Sequence, residues 1–165
     1  MGGWKFLVPM LTLIPGGGAY GQAQASFTNA DYAKHIRDLK IKLPHKGFTI
    51  VLEKPFVVIG DMPATQLRTR WALGTIHWAT QKLKASYFAK DPIHILDIWL
   101  FKDKASYEKH AKQLWGSKPT TPYGYYSSVN RALVMNIATG GGTLVHEIVH
   151  PFIEANFPDC PAWFN

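Results

Sequence analysis

Cysteine is nearly absent from this sequence. Cys160 stands alone among 165 residues, so no intrachain disulfide can brace the fold. Long apolar runs are missing too. The stretch from Phe6 to Ile14 is far shorter than the roughly 20 residues a helix needs to cross a bilayer, and no stable membrane span is expected once a leader is removed. There is no long basic run and no nucleic-acid motif, and the lysines are scattered, which argues against nucleic-acid binding. The formal charge of +7, or +6 once Lys5 leaves with a leader, is mild and implies little beyond solubility. No internal repeat, low-complexity tract or interdomain linker divides the chain, and its length suits one domain.

What is present is an ordinary apolar content rich in aromatics, enough for a sizeable core. Residues 1–25 read as a secretory signal peptide. Lys5 supplies the positive start, Phe6 to Ile14 the short apolar core, and Pro15 with Gly16-Gly17-Gly18 the break. Ala23-Gln24-Ala25 supplies an Ala-x-Ala cleavage site, predicting a mature domain over 26–165 and export to the periplasm or outside the cell.

The stretch with the most chemistry is Gly140-Gly141-Gly142-Thr143-Leu144-Val145-His146-Glu147-Ile148-Val149-His150. It contains His-Glu-x-x-His. An α-helix advances about 1.5 Å and 100° per residue, so positions four apart share one face, roughly 6 Å apart along the axis. His146 and His150 can then present two imidazoles to one Zn²⁺, the expected cofactor, with a coordination position left for water. Glu147 lies one residue round the helix and is the candidate general base for that water. Chance alone would place the motif in a chain of this composition at odds of about 1 in 100. The apolar spacing of Leu144, Val145, Ile148, Val149, Phe152 and Ile153 adds independent support for a helix. The plain alternative is a buried helix with two structural histidines.

Gly142 to Pro151, followed by Pro161-Ala162-Trp163-Phe164-Asn165, resembles the zincin metallopeptidases, specifically gluzincin-like domains of the peptidase MA class. The resemblance is close over 122–165 and loose back to about residue 47. It implies zinc, hydrolysis of a peptide or protein substrate, and the metal-ligand and base roles of His146, His150 and Glu147. In that family a Trp-x-x-Glu-Gly segment supplies the third zinc ligand. Here Trp163 matches its Trp, and Asn165 precedes the expected Glu by one residue, so the third ligand is expected beyond Asn165. Glu154 and Asp159 are the internal alternatives, with Asp159 the better placed because a loop can fold back. The resemblance also makes one strand of the hairpin before the motif a candidate rail for a substrate backbone. Two other readings use the same residues: a non-catalytic exported binding module of zincin fold, and a zinc hydrolase acting on another amide.

The expected fold class is α+β, with a mixed, mostly antiparallel sheet of four or five strands and packed helices. A helix is expected from Asn29, as N-cap, to Leu39. Phe48–Glu53 and Phe56–Gly60 read as one bent strand or two around Lys54-Pro55. A long helix follows from Asp61, as N-cap, to about Phe88, burying Leu67, Trp71, Thr75, Trp78, Ala79 and Leu83. Ile93–Phe101 reads as a central strand, then an Asp103-capped helix over Lys104–Trp115 stopped by Gly116. Tyr123–Ser128 and Ala132–Ile137 form a hairpin. The motif helix covers Thr143–Phe157, with Pro151 expected to kink or loosen it. Cys160 reads as a structural loop residue.

Overall fold

Five short strands rich in Val, Ile, Leu and aromatics pair into one sheet. They are β1 (Thr49–Glu53), β2 (Phe56–Gly60), β3 (Leu96–Phe101), β4 (Gly124–Ser127) and β5 (Ala132–Asn136). The computed structural model describes residues 27–161. The signal-peptide reading, Trp163 and the end of the chain at Asn165 lie outside the described residues. The strand order is β1-β2-β3-β5-β4. The outer pairs β1–β2 and β4–β5 are antiparallel, while β2–β3 and β3–β5 are parallel. The sheet is therefore mixed as expected but evenly split, not mostly antiparallel. Parallel neighbours need long crossovers, and the helices between β2 and β3 and between β3 and β5 supply them.

β1 and β2 are two strands, not one, and the cis Lys54–Pro55 peptide lies in the turn between them. β3 is shorter than expected but central, and every residue of β2 and β5 is buried. Strand side chains alternate between faces, so both faces carry a core. On one, Phe56, Val58, Ile98, Leu100, Leu133 and Met135 pack with Leu144, Ile148 and Phe152. On the other, Val57, Ile59, Trp99, Phe101 and Val134 pack against α1 (Asn29–Lys42) and α4 (Lys104–Trp115).

Several helix ends differ from expectation. Thr28, not Asn29, caps α1: its hydroxyl accepts from the Asp31 N–H while Asp31 accepts from the Thr28 N–H, satisfying two otherwise orphaned donors. Asp61 does not cap the helix after it. It accepts from the Lys102 N–H at 2.8 Å and from the Ser106 hydroxyl, tying the end of β3 to α4. Asp103 caps α4 and Gly116 ends it at φ 84°, both as expected. That left-handed conformation suits glycine because it has no Cβ to clash.

The long helix is α2 (Ala64–Gln66), a π-helical stretch Leu67–His77 and α3 (Trp78–Ser86), without a break. An i→i+5 bond pattern puts more than four residues in each turn. The buried stripe accordingly steps through Leu67, Trp71, Ala72 and Ile76 to Ala79 and Thr80. Trp78, expected inside on α-helical spacing, is 53% exposed because the wider turn rotates it off that stripe.

The motif helix, α5 (Gly142–Asn156), is reached through a short 3₁₀ turn over Ile137–Thr139 and Gly140 at φ 101°. Leu144, Ile148, Phe152 and Ile153 form its buried stripe. α5 packs on β4, β5 and α3, so its polar face lies beside the β4 edge of the sheet. The helix continues through Pro151 to Asn156, and the expected loosening is not seen in its extent. The proline is buried, and its missing N–H deprives only the Glu147 carbonyl of an intrahelical donor.

Candidate metal centre

The apolar stripe of α5 faces the core and turns His146, Glu147 and His150 outward together. Each offers a potential ligand atom, and those atoms lie within 4.8 Å of one another. His146 is exposed; Glu147 and His150 are half-buried. The two imidazoles meet edge to face, with centroids 5.1 Å apart and planes at 84°. The His150 Nε2 lies 3.7 Å from Glu147 Oε2. Two nitrogens each roughly 2.0–2.1 Å from one zinc are at most about 4.2 Å apart, so the spacing fits one ion within small side-chain rotations. The donor set fits as well, since imidazole and carboxylate both bind Zn²⁺.

The edge strand completes the arrangement. The Asn136 N–H donates to the Tyr123 carbonyl at 2.8 Å. Antiparallel ladders alternate by two, so the main-chain groups of Tyr125 pair with β5 while those of Gly124 and Tyr126 point away from it, with Gly124 buried. The Tyr126 N–H uses that direction to donate to Glu147 Oε2 at 2.9 Å. The Tyr126 ring lies parallel to that of His150, at 6.0 Å and 6°. Its hydroxyl donates to Glu154 Oε2 at 2.7 Å. Burial first, then the hydrogen bond to Glu154 and its charge, hold the Tyr126 hydroxyl well above its ordinary pKa, so it stays a donor at neutral pH.

Neither internal alternative for a third ligand joins the cluster. The Glu154 carboxylate is engaged by Tyr126. Asp159 is exposed on the turn closed by the Cys160 N–H and the Phe157 carbonyl. A tight turn, rather than a loop folding back, follows the helix. Cys160 is half-buried and packs against the core as expected. Four of the other histidines have separate surroundings. His35 meets Asp97 at 2.7 Å, His77 meets Glu53 at 2.8 Å, and the His45 ring nitrogen accepts from the Gly47 N–H. His110 is buried against Phe48 and Phe101 on the opposite face of the sheet. An apolar cleft lined by Leu83, Tyr87, Phe88, Val149, Ile153 and Phe157 contains no His, Cys, Asp or Glu, and is not where the polar chemistry lies.

The motif residues were legible from spacing alone. Tyr126 was not singled out, and its only sequence signal was the aromatic cluster in the hairpin before the motif. No family model, no curated protein and no solved structure matches the chain.

Proposed function

We propose that this protein is a zinc-dependent peptide hydrolase acting outside the cytoplasm. The observation that supports this reading most is the His146, Glu147 and His150 cluster on α5, directly beside the edge strand β4. His146 and His150 would hold the ion. Zinc bound there would supply Lewis acidity, lowering the pKa of a water from 15.7 to about 7. Glu147 is the one carboxylate of the cluster. It accepts the water's proton as the carbonyl is attacked and returns it to the leaving amine. The Tyr126 N–H fixes one Glu147 oxygen and leaves the other for that proton. β4 is the edge strand beside α5 and remains the candidate rail on which a peptide would pair as an added strand. A third ligand supplied beyond the described residues would complete the usual catalytic set of three protein ligands and water.

One observation favours a different reading. Among the described residues no fourth side chain joins the two histidines and Glu147 to serve as a further ligand, as a non-catalytic zincin-fold binding module would allow. Peptidase activity on a mixed peptide library separates the readings. Protein that also carries the third ligand should cleave, residues 26–165 alone should turn over little, and Glu147→Gln in the cleaving protein should lose about 10²–10⁴-fold in kcat while retaining zinc. Equal turnover in the cleaving protein and its Glu147→Gln variant removes Glu147 from the mechanism. Release of ammonia or of another amine from non-peptide amides, without peptide cleavage, would move the substrate class to another amide.

A further inference from the structure

Tyr126 touches three functional positions of α5 at once. Its main chain binds Glu147, its ring lies flat along His150, and its hydroxyl binds Glu154. Those positions are three and then four residues apart, so they follow one helical face over two turns. One edge-strand residue therefore reaches along two turns of the motif helix.

We propose that Tyr126 and Glu154 form a positioning pair for His150, with Glu154 holding the phenol and the phenol ring setting the plane of the imidazole. The inference rests on the metal-site reading above. The physical reason lies in the donor orbital. An imidazole nitrogen presents its lone pair in the ring plane, so a ring free to rotate presents it to an ion only part of the time. His150 is held at 6° to the Tyr126 ring, while His146 stands nearly perpendicular to it. The two histidines need different ring orientations to share one ion, and among the described residues the parallel ring of Tyr126 lies beside His150 and not beside His146. The 2.7 Å hydrogen bond to Glu154 fixes where that partner lies. Neighbours that orient metal ligands typically change metal affinity 10–100-fold when removed.

The test is zinc affinity by competition with a chelating dye, with the visible spectrum of the Co²⁺-loaded protein as a second readout. Wild type, His146→Ala, Tyr126→Phe, Glu154→Ala, Glu154→Gln and the Tyr126→Phe/Glu154→Ala double variant are compared, with melting of each metal-free protein alongside. Tyr126→Phe keeps the ring and removes the hydroxyl. It and Glu154→Ala should each weaken zinc binding about tenfold and alter the Co²⁺ bands. The double variant should lose no more than either single one, because both break the same link. Glu154→Gln keeps an oxygen that accepts from the phenol and should bind within about threefold of wild type, given the modest weight of one neutral hydrogen bond.

Tyr126→Phe binding zinc as wild type does, with His146→Ala deficient, would overturn the pairing and leave the metal site intact. Glu154→Gln failing as badly as Glu154→Ala would also overturn it, making Glu154 a ligand instead. No zinc binding by wild type above His146→Ala would remove the metal reading and this inference with it.

Discussion

Phe152→Ala tests whether the motif helix is held by the core in the way described. Phe152 is fully buried two residues beyond His150. It stacks on Phe88 at 5.5 Å and meets Phe56 of β2 edge-on at 6.2 Å, so one ring ties α5 to both the α3 end and the sheet. Truncation removes the transfer free energy of the ring and leaves a cavity that rigid neighbours fill only partly, a cost of about 3–5 kcal/mol. Aromatic geometry contributes roughly 0.5–1.5 kcal/mol beyond area at such contacts. Against a total stability of about 5–15 kcal/mol, the variant should fold but sit near the margin. With an m-value of roughly 2 kcal/mol/M, the urea midpoint should fall by about 1.5–2.5 M at unchanged m. Phe157→Ala is the control. That ring is 48% exposed just past the helix, and its loss should cost less than about 1 kcal/mol. A Phe152→Ala loss below about 1 kcal/mol, or equal losses in the two variants, would refute the packing argument.

Two glycine substitutions should act in opposite directions. Gly116→Ala meets no atom within 4 Å but must hold φ 84°, costing about 1–2 kcal/mol through the left-handed backbone alone. Gly142→Ala meets no atom either and lies in the first turn of α5, so it should stabilise by about 0.4–1 kcal/mol, both read from urea midpoints. A pH dependence should come from His110. Burial lowers its pKa below the ordinary 6.5, ahead of the repulsion from Lys109 and His45, while Gln113 and Asp61 oppose the shift. The folded state then binds fewer protons than the unfolded chain, so this contribution is complete above pH 6.5 and is lost as pH falls below it. Chemical denaturation from pH 7.5 to 5 should show that decline, and His110→Gln should flatten it. An identical slope in the variant would locate the effect elsewhere.

The parts of the fold that could be read from sequence were those set by local chemistry. Asp103 and Gly116 bound α4 as their cap preferences demand. The apolar continuity of β3 marked a strand covered on both faces. The parts that could not were set by long-range competition. Asp61 is an acceptable cap by type, yet it is drawn to Lys102 and Ser106 far along the sequence; the Thr28 cap of the first helix is the exception, a local box with Asp31 that the choice of Asn29 passes over. Trp78 was misplaced because the 3.6-residue period does not apply to a π-helical stretch. The even balance of parallel and antiparallel pairs depends on which strands the helical crossovers bring together, and no local pattern carries that.

The site divides in the same way. His146, Glu147 and His150 converge because helical geometry alone brings them together. Tyr126 and Glu154 meet only after the hairpin edge has docked on the helix, 28 positions apart. A loop position lets Asp159 reach back in principle, but the turn through Phe157 and Cys160 leaves it at the surface.

The most direct measurement is the zinc content and affinity of the purified protein beside His146→Ala. The account predicts about one zinc per wild-type molecule and loss of that zinc in the variant, with both proteins folded by circular dichroism. Folded wild-type protein that binds no more zinc than His146→Ala would contradict the metal centre, and with it the proposed hydrolysis.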